Sequence, residues 1–291
     1  MKRVCAACGY PRSKFLFEKD GYSILRCKNC CFEFVDFQPG DGFTSDFYTK
    51  DYFVDGHDKC GYADYLQEKP NLMRSNIKRV RFIENYVSGG SILDVGCSAG
   101  FFLEALGPQW DPYGCEPSGA MVEFAREKFG ERITRAALEE YEPGRTFDVI
   151  TMWDCLEHTV EPNLFIRKAL SLLKDDGFLF LGTPDAGSPA PRVLGRYWYY
   201  YVPPSHLQYF DRWNIEIFLE RNGFRMRRLV YFAKYVSLAE IVANLGYMFG
   251  NQGMKQLSER LLRSSRWNVS IPYMVFDDMV VMARKSTRFN D

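Results

Sequence analysis

The sequence carries no charge excess, no long apolar run and few histidines, and each shortage narrows what the chain can be. Its 37 Lys and Arg balance 37 Asp and Glu, so the strong basic surplus of a dedicated nucleic-acid binder is missing and nucleic acid is not the expected partner. No stretch approaches the roughly 20 consecutive apolar residues of a membrane span. Met1-Lys2-Arg3-Val4-Cys5 lacks the apolar h-region of a secretory signal, so a cytoplasmic location is the expectation. Repeats and low-complexity runs are absent. Histidine occurs three times, at 57, 158 and 206. What the chain does have is 46% hydrophobic residues over 291 positions, enough for a real core. At roughly 100–200 residues per domain this means one large domain plus a smaller module.

Nine cysteines are unevenly spread, with Cys5, Cys8, Cys27, Cys30 and Cys31 in the first 31 residues. Without a secretory signal such a cluster reads as metal ligands before disulfides. Cys5-x2-Cys8 and Cys27-x2-Cys30 have the two-knuckle spacing in which four thiolates enclose a structural zinc ion. A four-ligand site leaves no position to activate water, so its expected role is to staple the fold. Gly9 follows the first knuckle and Cys31 the second, and Cys31 reads as a non-ligand.

Residues 1–36 therefore form a candidate zinc-binding module, 37–70 an aromatic, Asp/Gly-rich connector containing His57, and 71–291 the main domain. A helix is expected near 71–86. From there strands at 92–95, 112–116, 147–153 and 177–182 alternate with helices at 101–106, 119–129 and 162–173. That alternation means βαβ units and a parallel sheet covered on both faces. A helix at 213–222 and strands at 229–235 and 274–283 close the chain, with a helical insertion near 237–270. Nine basic against two acidic residues between 221 and 267 could meet a diphosphate, an anionic membrane face or RNA, or form a solvated helix face.

Asp94-Val95-Gly96-Cys97-Ser98-Ala99-Gly100 lies at a strand end and opens a helix, where doubly wound sheets bind cofactors. Gly96 lets backbone approach a ligand and Gly100 permits close strand–helix packing. Glu116 ends the next strand, where a carboxylate can take both hydroxyls of an adenosine ribose. A dinucleotide fingerprint would put its first glycine at Asp94, and a carboxylate there repels phosphate. It suits a cationic nucleoside such as S-adenosylmethionine (SAM).

The segments ILDVGCSAGFFLEAL, YGCEPSGAMVEFAR, FDVITMWDCLEHTVEP, LKDDGFLFLGTPD and PPSHLQYF resemble, in order, class I SAM-dependent methyltransferases with an N-terminal four-cysteine zinc module. The resemblance implies an α/β, doubly wound, seven-stranded Rossmann-like sheet with a C-terminal hairpin reversal, and methyl transfer. It implies that Asp94, Gly96, Cys97, Ser98 and Gly100 line the methionine end and Glu116 holds the ribose beside Pro117 and Ser118. Ala137 and Leu138 would run along the adenine, with Trp153 and Asp154 closing the fourth strand. A more distant similarity to deoxysugar C-methyltransferases aligns their general-base histidine with His206, although the flanking residues and the large C-terminal domain of that group are missing. O- or N-methylation is the expectation.

His206 is open between a base, an acceptor-positioning residue and a packed loop histidine. His158 is open between the crevice and a helix-start hydrogen bond. The run Tyr197 to Tyr201 could stack on a sugar ring or form a lid. The expected acceptor is a small or carbohydrate-type molecule, a nucleotide-linked sugar or polysaccharide precursor in particular. The alternatives are an RNA or protein methyltransferase docked by the zinc module, and a cofactor-binding scaffold without catalysis.

Overall fold

The computed structural model describes residues 4–40, 65–248, 251–262, 270–273 and 276–286. His57, Cys60, most of the connector and the end of the insertion lie outside the described residues.

Seven strands form the central sheet: β4 (Gly90–Val95), β5 (Trp110–Glu116), β6 (Ile133–Arg135), β7 (Phe147–Trp153), β8 (Leu173–Pro184), β10 (Phe224–Tyr231) and β13 (Asp278–Lys285). Their order is β10-β13-β8-β7-β4-β5-β6. Strands β4 to β8 run parallel, while β13 lies antiparallel between β8 and β10. This is the Rossmann-like α/β sheet with a reversed C-terminal hairpin. Ile92, Leu93, Val149, Ile150, Leu179 and Leu181 are fully buried, because helices cover both faces of a parallel sheet. The helices are α1 (Lys69–Glu84), α2 (Phe101–Glu104), α3 (Gly119–Phe129), α4 (Pro162–Leu172), α5 (Pro189–Leu194) and α6 (Arg212–Arg221). Helix α6 begins on a capping box in which the Asp211 carboxylate accepts from the Trp213 and Asn214 amides, satisfying donors that would otherwise be orphaned.

A second sheet joins β1 (Ser13–Lys19), β2 (Tyr22–Cys27) and β3 (Glu33–Val35) to β9 (Gln208–Tyr209). Strand β9 begins two positions after His206, so the cysteine-rich segment pairs with the end of the loop that carries this histidine. Phe32 meets Phe210 at 4.7 Å between ring centroids, and Phe210 meets Phe218 of α6 at 5.0 Å. The small sheet thus shares a core with the large domain.

Two expectations are corrected. The single strand expected at 229–235 is two: β10 ends at Tyr231, and β11 (Lys234–Ser237) pairs instead with β12 (Ser270–Tyr273). At the break the Lys78 ammonium of α1 donates to the Ala233 carbonyl at 3.0 Å, taking a backbone acceptor out of the ladder. Helices α7 (Leu238–Met248) and α8 (Gln252–Leu262) then form a hairpin between β11 and β12. The helix expected at 101–106 stops at Glu104, before Gly107-Pro108. Among the described residues no helix is long and apolar enough to cross a membrane.

Candidate cofactor crevice and neighbouring side-chain clusters

The loop after β4 is bent by three left-handed residues: Gly96 (φ 68°), Ser98 (φ 47°) and Gly100 (φ 78°). The Gly96 and Cys97 amides donate to the Cys115 carbonyl at 2.9 and 3.2 Å, which binds the loop to β5. A Cβ at Gly96 would lie 2.6 Å from the Cys155 sulfur. Gly96→Ala therefore combines a strained φ with a clash and is expected to cost about 1–3 kcal/mol, read as a lowered denaturant midpoint.

Glu116 sits where β5 ends, 4% exposed. Its Oε1 accepts the Ser118 amide at 2.8 Å and its Oε2 the Ser98 amide at 3.0 Å. One carboxylate thus ties the two loops together. Asp94, 3% exposed, accepts the Thr151 hydroxyl at 2.7 Å. Burial pushes both carboxyls up to about 7. For Asp94, the Thr151 hydrogen bond and the Arg79 charge pull the other way, and the Glu116 charge adds to the rise. Two buried carboxylates near the ends of adjacent strands favour a cation.

Arg79, on α1 and 8% exposed, donates to Asp154 Oδ2 at 3.0 Å. Its guanidinium lies 4.6 Å from the centre of the Trp153 ring, a cation–π distance. Sequence reasoning missed Arg79: it lies on an amphipathic helix whose partner is 75 residues away. Tyr65 stacks on Phe101 at 5.4 Å and 4° between planes. The buried Ser118 hydroxyl and the Trp153 indole N–H have no hydrogen-bond partner among the described residues. Native interiors rarely leave such groups unpaired, and one stands beside the Glu116 carboxylate, the other at the end of β7.

A second cluster forms after β7 and β8. The Leu207 amide donates to the Glu157 carbonyl at 2.7 Å and the Gln208 side-chain amide to the Thr159 carbonyl at 2.9 Å. These bonds bring the His158 and His206 rings to 4.7 Å at 85°. His158 Nδ1 bonds the Ser205 carbonyl at 2.8 Å and His206 Nδ1 the Tyr200 carbonyl at 3.0 Å. Burial lowers His158 to about 4, so its ring is neutral at neutral pH. In the neighbouring aromatic run, Trp198 is fully buried and Tyr201 is 3% exposed. Trp198 and Tyr199 both donate to Asp277, and Tyr201 donates to Glu33 of β3 at 2.5 Å. Those three rings are structural; Tyr197 faces solvent.

The four thiols Cys5, Cys8, Cys27 and Cys30 converge, with Cys5–Cys30 and Cys8–Cys27 sulfur pairs each at 3.6 Å. A Zn–S bond of about 2.3 Å gives a tetrahedral S–S edge of about 3.8 Å, so the donor set fits zinc. The Cys8 and Asn29 amides point at the Cys5 and Cys27 sulfurs at 3.5 and 3.4 Å. Gly9 (φ 75°) and Cys31 (φ 62°) turn the chain after each knuckle, and Cys31 is exposed.

Residues 65–229, more than half of the chain, match the family described as "Methyltransferase domain". The chain belongs to that family. The ubiquinone biosynthesis O-methyltransferase of Methylococcus capsulatus is 32% identical over 127 residues, covering 40% of this chain and 53% of the relative. The protein of the same name from Actinobacillus pleuropneumoniae is 30% identical over 132 residues, 41% and 50% of the two chains. The chain thus spans about half the length of the curated relatives it matches. Magnesium protoporphyrin IX methyltransferase from Synechocystis PCC 6803 with bound SAH shares the fold at TM-score 0.52 and 16% identity, covering 85% of this chain and all of that one. Burkholderia thailandensis 1,6-didemethyltoxoflavin-N1-methyltransferase does so at 0.51 and 13%, covering 94% and 99%.

In this methyltransferase domain Asp94, Gly96, Cys97, Ser98 and Gly100 lie at the carboxy end of β4, and Glu116, Pro117 and Ser118 at that of β5. Trp153 ends β7 and Asp154 follows it. Ala137 and Leu138 follow β6, joined to the crevice by the Ala136 amide on the Glu116 carbonyl at 3.2 Å.

Proposed function

We propose that the chain binds SAM across the ends of β4, β5 and β7 and transfers its methyl group to a hydroxyl of a small-molecule acceptor. The observation carrying this reading is the pair of buried carboxylates, Asp94 and Glu116, beside the Ser118 hydroxyl, which has no hydrogen-bond partner among the described residues. Bound there, SAM would supply a methyl group already activated on a sulfonium.

The chain's own part is to hold and orient. Glu116 keeps lone pairs beyond its two backbone bonds for the ribose hydroxyls. Asp94 answers the positive charge of the methionine end, and Arg79 with the Trp153 indole N–H answers its carboxylate. Glu116→Ala is expected to weaken cofactor binding by about 1–3 kcal/mol, measured by calorimetry; unchanged affinity would remove Glu116 from the site.

Because both carboxyls lie near 7 without ligand, they are mostly protonated at pH 6 and ionised at pH 8. Asp94 must be ionised to answer the positive methionine end and Glu116 to accept from both ribose hydroxyls, so affinity for SAM is expected to fall about tenfold per carboxylate from pH 8 to pH 6. The sign for folding is opposite. A carboxyl raised in the folded state stabilises the unliganded fold at low pH, and that contribution is lost as pH rises through about 7. A pH series of SAM titrations checks the first effect, and thermal melts without ligand check the second.

The acceptor lies, on this reading, on the side of His158 and His206, the polar cluster beside which its hydroxyl would lose a proton. A small hydroxylated acceptor agrees with relatives named for O-methylation. The carbohydrate-type reading drew on Tyr197 to Tyr201 as stacking faces, and burial of Trp198 and Tyr201 leaves it less support. The four cysteines, on the same proposal, hold one structural zinc. Incubation with methyl-labelled SAM and a panel of phenolic and sugar hydroxyl acceptors tests the reaction. Label recovered on an acceptor oxygen supports it, and recovery only on nitrogen or carbon overturns the O-methylation assignment.

A further inference from the structure

The group formed by Glu157, His158 and His206 has the composition of a metal site, apart from the four cysteines. One donor atom from each residue lies within 4.8 Å of the others. Glu157 follows β7 and is 1% exposed. Its Oε2 accepts the Thr183 hydroxyl at 2.9 Å, while its buried Oε1 has no hydrogen-bond partner among the described residues. A buried carboxylate oxygen left in that state is costly. A cation held by this carboxylate and the two imidazoles would offset that cost.

The histidines are also held as ligands are held. Each Nδ1 is bonded to a backbone carbonyl, of Ser205 at 2.8 Å and of Tyr200 at 3.0 Å, the kind of outer contact that orients a ligating imidazole. The Leu207 amide on the Glu157 carbonyl at 2.7 Å locks the two segments in register, so all three side chains stand on anchored backbone.

We propose that Glu157, His158 and His206 form a second metal site that takes a divalent first-row transition ion. Two imidazoles and a carboxylate suit such an ion and leave coordination positions open. The four-cysteine site, by contrast, is closed. On the acceptor placement proposed above, an open position is where an acceptor oxygen would bind and become more acidic. The metal site itself stands on the side chains alone and is measured without acceptor.

The test is metal stoichiometry on the full chain, dialysed against zinc sulfate, freed of unbound ion by gel filtration and analysed for metal. Two zinc ions per chain are expected, falling to one in Glu157→Gln and in His206→Ala, with SAH titration reporting that each variant is folded. A parent holding a single zinc overturns the proposal, and so does a second zinc that persists in both folded variants. Cobalt substitution of the parent gives a reading that needs no variant. The cysteine-bound ion should show intense sulfur-to-metal charge-transfer bands and the second ion only weak d–d bands, and thiolate bands from both ions would overturn the assignment. Either failure would leave SAH binding, and with it the methyl-transfer reading, intact.

Discussion

Cys8→Ser is expected to unfold the N-terminal module and loosen the loop bearing His206 while leaving cofactor affinity within a few-fold of the parent. A closed tetrathiolate zinc site supplies folding free energy, with apparent binding of about 10–16 kcal/mol in zinc-finger peptides, and losing one thiolate forfeits most of it. The damage spreads along defined contacts. Strand β3 is the partner of β9, and buried Glu33 of β3 accepts from both Arg26 and Tyr201. Arg221 of α6 donates to the Ala7 carbonyl at 3.0 Å and packs where a Cβ on Gly9 would stand. None of these contacts involves a residue of the proposed SAM crevice at the ends of β4, β5 and β7. Limited proteolysis should therefore cut within residues 4–40 of the variant, while SAH titration stays close to the parent. A variant as protease-resistant as the parent would show the module to be stable without its metal.

His206→Ala is expected to lower turnover by about 10²-fold with SAM affinity unchanged. Its ring packs edge-on against His158 and lies 5.8 Å from the Tyr200 ring in a stacked arrangement, so its removal alters the proposed acceptor side and not Asp94 or Glu116. Activity within a few-fold of the parent would make it a packing residue. Loss of SAM affinity in parallel would show that the two sides are not separate.

The parts of this architecture written in local sequence were legible. The strand, the glycine loop and the start of the helix at 101, the carboxylate ending the next strand and the paired Cys-x2-Cys knuckles each depend on residues a few positions apart. Features made by distant residues were not. Arg79 has an ordinary place on a helix until folding brings Asp154 beneath it. Strand β9 is two residues long and becomes a strand only because β3 lies alongside. Strand β6, three residues, carries too little pattern to declare itself, and at the break between β10 and β11 the Ala233 carbonyl accepts from Lys78, 155 residues away. His158 and His206, 48 positions apart, each looked individually ambiguous. Their association comes from the backbone bond between Leu207 and Glu157.

The most direct measurement is a pair of calorimetric titrations of the purified chain at pH 8, one with SAM and one with NAD. One equivalent of SAM should bind, and NAD should give no saturable heat, because Asp94 stands where a pyrophosphate would need an uncharged turn. Saturable NAD binding in the absence of SAM binding would contradict the account at its root.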